Sequence, residues 1–108
     1  KQMGVQLARE APATADVAVS KAAVENAVSA GASDLAPEEI TAARAKMQRA
    51  SAALAAKDYT LARDLATQAQ ADAKLAQSKA NSAKATAASN ALQEDLRVLR
   101  EEVDRVKQ

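Results

Sequence analysis

The sequence predicts an all-α fold: an antiparallel arrangement of three helices, at about 14–30, 37–56 and 58–107, the last far longer than the others. Three observations predict it. Alanine recurs at 62, 66, 69, 73, 76, 80 and 83, alternating steps of four and three, which draws one seam along a helix. Two corners, Leu35-Ala36-Pro37-Glu38-Glu39 and Lys57-Asp58-Tyr59, interrupt the helical pattern. Beyond Asp58 there is neither Gly nor Pro to stop the last helix.

Residues 1–13 read as a linker or tail, because Gly4 and Pro12 break any element they could form. The chain opens on Lys1 rather than Met, as a processed or trimmed form would. The first helix starts at Thr14, a capping residue, with Asp16 in its first turn where a negative charge suits the helix dipole. Val17, Ser20, Val24, Ala27 and Val28 share one face, and Gly31 ends the helix. A short connection, 31–36, leads to Pro37, which suits a first helical position because its missing N–H has no partner there.

The second helix carries the seam Ile40, Ala43, Met47, Ala50 and Leu54, with Arg44, Lys46 and Arg49 on a solvated face. Lys57-Asp58 is a tight turn, so the second and third helices pack antiparallel, and Asp58 can cap the third. Tyr59 is expected to close the end of this hairpin with its hydroxyl in water. Residues 14–85 then form a helical domain. Its core is thin, since the chain is 48% hydrophobic but only 1% aromatic and burial of Ala contributes far less than burial of Leu.

Past Ala83 the register changes. The alanine seam would continue onto Asn90 and Glu94, but a new apolar seam starts instead: Leu92, Leu96, Leu99, Val103 and Val106. With Leu96 and Val103 as a positions, the g positions are Asp95 and Glu102 and the e positions Arg100 and Lys107. Each g residue meets a following e residue of opposite charge, the pattern of a parallel coiled coil. Glu101 and Arg105 are spaced to pair within one helix. Residues 86–108 are therefore a coiled-coil extension, and a homo-oligomer, in the first place a parallel dimer, is the expected partner arrangement. Two alternatives remain open at this point: the seam folds back on the chain's own first helix, or it links to a further domain.

The composition weighs against several activities. There is no Cys and no His, which removes thiol nucleophiles, zinc sites built on thiolate or imidazole, and the commonest acid–base side chain. With 15 basic and 14 acidic residues, mixed throughout, there is no basic stripe, and one Tyr makes no stacking platform, so nucleic acid is not an expected partner. Ser51, Ser78, Ser82 and Ser89 lie in helical stretches with no base aimed at them. Asp58, Asp64 and Asp72 read as part of a solvated face rather than a carboxylate site. No catalytic, metal-binding or cofactor-binding residue is expected, and no cofactor. No apolar run approaches the ~20 residues of a membrane span.

The Leu-Ala-Pro-Glu corner and the Ala55-Ala56-Lys57-Asp58-Tyr59-Thr60-Leu61-Ala62-Arg63 corner stand at a specific separation. With Leu65-Ala66-Thr67-Gln68-Ala69, Asp72-Ala73, Leu75-Ala76 and Lys79-Ala80, they resemble an Ala-rich bacterial envelope lipoprotein domain of unknown function that often precedes an OmpA-like peptidoglycan-binding domain. The resemblance covers about 13–85. It implies export by a signal peptide, a lipidated Cys before a short linker, and residence in the periplasm on the outer membrane. Membrane contact would come only through that lipid anchor, which is not in this chain. The expected function is a non-enzymatic structural or interaction module of the cell envelope, a helical spacer with an oligomerisation or docking surface, possible partners including another envelope protein. The alternative is a tetratricopeptide-like module that lays a peptide or lipid in a groove between helices.

Overall fold

The computed structural model describes residues 2–108, with side-chain surroundings from residue 8 onward. It is 93% helical, and the described residues contain no strand. Four helices follow one another: α1 (Gln2–Ser29), α2 (Ala32–Leu35), α3 (Pro37–Ala55) and α4 (Tyr59–Lys107). The molecule is a rod of 88 × 20 × 15 Å.

Each corner follows from local chemistry. Gly31 adopts φ 91°, a left-handed conformation that costs a side-chain-bearing residue about 1–2 kcal/mol, and its N–H donates to Val28 O at 2.9 Å. Pro37 opens α3 as expected. At the end of α3 the N–H groups of Lys57 and Asp58 donate back to Leu54 O (3.0 Å) and Ala53 O (2.9 Å). This is the Schellman arrangement, with Lys57 at φ 64° where Gly is usual. Asp58 then caps α4, its Oδ1 accepting from Leu61 N at 3.3 Å.

α3 runs back along α4, and α1 runs in the same direction as α4. Glu39 and Lys46 of α3 face Lys79 and Asp72, while Asp16 of α1 faces Arg63 and Gly31 lies beside Lys84. α1 and α3 lie along α4 more extensively than along each other. The axis of the packing is the alanine seam: Ala62, Ala66, Ala69, Ala73, Ala76 and Ala80 are all fully buried. Val24, Ala27, Ile40 and Ala43 meet its far part, and Ala50 with half-buried Val17 meets Leu65 and Ala66. Ser20 is also fully buried; its hydroxyl donates to Val17 O at 2.7 Å, one turn back in the same helix.

Four expectations need correction. The first helix begins at Gln2, not near Thr14, so residues 2–13 are helical rather than an irregular linker; side chains 1–7 lie outside the described ones. Pro12 sits inside α1 and forgoes one backbone bond, while the next residue, Ala13, is fully buried against Ala53, Tyr59 and Ala62. The 31–36 connection contains the single-turn α2, with Ala32 and Ala36 buried. Tyr59 does close the hairpin end, but α1 crosses over it and leaves it only 8% exposed. Lys46 is not simply solvated: its ammonium lies 2.8 Å from Asp72 Oδ2, off the direction of a hydrogen bond, so charge holds the pair.

Candidate functional site

α4 outruns the rest of the chain. Every residue from Lys84 to Gln108 is exposed. At 1.5 Å per residue the helical part of this overhang is about 35 Å long. The helix keeps going because nothing in it breaks the pattern, and Arg105 and Lys107 in its last turn suit the negative end of the helix dipole.

All five residues of the apolar seam lie on this overhang. Leu92, Leu96, Leu99, Val103 and Val106 are between 45% and 86% exposed, so no part of the described chain covers them. The seam does not fold back on α1. Asp95 and Glu102 line one edge of it, Arg100 and Lys107 the other. None of these four forms an ion pair among the described residues.

The remaining charges behave differently. Arg97 Nε donates to Glu94 Oε2 at 3.1 Å, and the same guanidinium pairs with Glu101 one turn on. Glu101 thus takes Arg97 as its partner, not Arg105 as its spacing suggested. These bonds hold the Glu94 carboxyl below its ordinary range and raise Arg97. They lie on the side of the helix turned away from the apolar seam. Asp95, Arg100, Glu102 and Lys107 beside the seam are left over, while Glu94, Arg97 and Glu101 behind it are paired with one another.

The direction of the seam matters as much as its exposure. At 100° per residue, the apolar face centres about 120° around α4 from the alanine seam that α1 and α3 occupy. The overhang therefore turns its apolar side away from the three-helix body. Leu61 and Leu75, both exposed, sit at multiples of seven before Leu96, but at about 20° of drift per seven residues they lie progressively around the helix from it.

Other surfaces are less organised. Between α1 and α3 runs an open groove of about 390 Å³, with Val24, Val28 and Met47 along it and Lys21, Glu25 and Arg44 at its margins. Tyr59 is the one tyrosine, and burial, then the Glu10 carboxylate nearby, push its phenol upward. Ser51, Ser78, Ser82 and Ser89 are exposed on helices. Asp58 caps a helix, Asp64 accepts from Gln68 Nε2 at 3.3 Å, and Asp72 faces Lys46, so the three carboxylates do not converge. The described residues hold no group of three or more His, Cys, Asp or Glu that could bind a metal, and no helix is long and apolar enough to cross a membrane.

Compared with known proteins, residues 15–92 match the model of a family described as Domain of unknown function (DUF4398). The match ends at Leu92, where the uncovered seam begins. No curated protein and no solved structure matches the chain.

Proposed function

The chain belongs to the DUF4398 family, a domain of unknown function, and on that footing we propose that it is a non-enzymatic helical spacer of the bacterial cell envelope that associates with copies of itself. One observation carries the reading: α4 extends about 35 Å beyond its own partners and carries there an apolar seam with unspent charges on both edges. A lone helix with five exposed Leu and Val side chains loses the stabilisation that a partner would supply, roughly 1.5–3 kcal/mol for each side chain fully buried.

The envelope setting rests on the resemblance of the Leu-Ala-Pro-Glu and Asp-Tyr corners. It implies an outer-membrane lipoprotein in the periplasm, tethered by a lipidated Cys upstream and placed before a wall-binding domain. An anchored rod of 88 Å would set a distance between the membrane and whatever it holds.

Sedimentation of the intact chain and of a chain ended at Asn81 tests the self-association. The intact chain is expected to gain mass with concentration while the shortened one stays monomeric. Equal monomeric masses at all concentrations would remove the reading. Fractionation of the full-length protein in its native cell tests the setting; recovery outside the envelope fraction would refute it.

The groove between α1 and α3 favours a second reading, a module that binds an anionic lipid. Its apolar residues Val24, Val28 and Met47 would take an acyl chain, and Lys21 and Arg44 a headgroup. The close alanine packing beneath it leaves no deep cavity, which weighs against this. Absence of lipid in native mass spectra, together with no uptake from anionic vesicles, would exclude it.

A further inference from the structure

We infer that the partner on the overhang is a second copy of this chain lying parallel and in register, so that two three-helix bodies stand at one end of a paired rod, each on its outward side. This rests on the self-association reading and specifies its geometry.

The edge charges decide the direction. In a parallel pair each helix sets one edge of its seam against the opposite edge of its partner. Asp95 then meets Arg100 and Glu102 meets Lys107, twice each by symmetry. In an antiparallel pair each edge meets its own counterpart. In the register that sets Ser89 opposite Val106, Asp95 faces Glu102, acid against acid, while Arg100 and Lys107 face the uncharged Gln93 and Thr86. All four residues therefore favour the parallel direction, and the two acids oppose the other. Glu94, Arg97 and Glu101 do not blur this, because they are already paired with one another on the far side of the helix.

The body sets the second condition. α1 and α3 occupy the alanine seam, about 120° around α4 from the apolar face. A parallel partner approaching that face comes from the side of α4 that neither α1 nor α3 covers, and both bodies point away from the shared seam. The line of the seam continues back toward Leu75 as Ser89, Ala85, Ser82 and Ser78, all exposed, so no bulky side chain forces the two rods apart where the bodies begin.

The chain has no cysteine, which makes single-cysteine cross-linking unambiguous. Ser89→Cys and Val106→Cys sit near the two ends of the seam. In the parallel arrangement each variant by itself oxidises to a dimer, since each residue faces its own copy. In the antiparallel arrangement neither links alone, but a mixture does, because Ser89 then lies opposite Val106. Cross-linking of both single variants is expected, with Ala87→Cys, on the far side of the helix, remaining unlinked. A link that requires the mixture, or a sedimentation dimer with no self-linking, overturns the parallel geometry while leaving self-association standing. A monomeric mass for the intact chain at every concentration overturns both. Spin labels at Gln108→Cys give a second measurement that removes no seam side chain: close pairing of the labels is expected, and separation by the length of the seam contradicts it.

Discussion

The Lys46 ammonium stands 2.8 Å from Asp72 Oδ2, bridging α3 and α4 at a level where the buried contacts are alanines. Asp72 Oδ2 is itself out of solvent and accepts no hydrogen bond. Removing Lys46 strands that oxygen, whereas removing Asp72 frees a lysine that can swing into water. Lys46→Ala is expected to cost about 1–2 kcal/mol of stability and Asp72→Ala less. Urea unfolding of the two variants and of the double variant measures both the asymmetry and the coupling; equal losses would contradict it.

Close packing along the alanine seam leaves no room for larger side chains. Ala73 is fully buried between α1, α3 and α4. Ala73→Leu is expected to destabilise by about 1–3 kcal/mol through overpacking. Ala87→Leu, on the exposed overhang, should stay within about 0.5 kcal/mol of the parent. Thermal unfolding of both distinguishes a packed seam from a merely helical stretch.

Lys57 holds a left-handed conformation at φ 64° while its N–H completes the end of α3. Lys57→Gly keeps the bonds and relieves the backbone, so a gain of up to about 1 kcal/mol is expected. Gly31→Ala, at φ 91°, should lose about 1–2 kcal/mol. Opposite signs for the two substitutions in chemical denaturation are the check.

Glu39 and Lys79 pair across the first turn of α3, and the pair sets limits in pH. The Lys79 side chain holds the Glu39 carboxyl below its ordinary 4.5, so its contribution is present above 4.5 and is lost as pH falls through the lowered folded value. Glu39 in turn raises Lys79 above 10.5, a contribution fully present below 10.5 and lost as pH rises through the raised value. Burial raises Tyr59 above 10.0 and places a second loss on the same alkaline side. Unfolding free energy is expected to be flat from about pH 5 to 10 and to fall beyond either end. In Glu39→Gln the acid-side loss should shrink; an unchanged acid limb would show that this pair does not govern it.

Much of this fold was legible in the residues because helical periodicity is a local property. Alanines at steps of three and four marked the buried side of α4, and every one from Ala62 to Ala80 is buried. Pro37, Gly31 and Asp58 announced their corners through backbone freedom and capping chemistry, which depend on immediate neighbours. The absence of Gly and Pro after Asp58 left the last helix uninterrupted through Lys107, well past the reach of α1 and α3.

What only the tertiary structure decided involves contacts between segments far apart in the chain. Pro12 reads as a helix breaker from sequence, yet α1 passes through it; Ala13 just beyond packs under Tyr59, and Arg63 Nε donates to Asp16 Oδ2 at 2.9 Å. The pairing of Lys46 with Asp72 depends on how α3 and α4 slide against each other, which no local pattern records. The apolar seam of α4 was visible as spacing, but its direction was not. A helix side has no meaning as inside or outside until other helices occupy one of them, and here α1 and α3 take the alanine side and leave Leu92 to Val106 turned away.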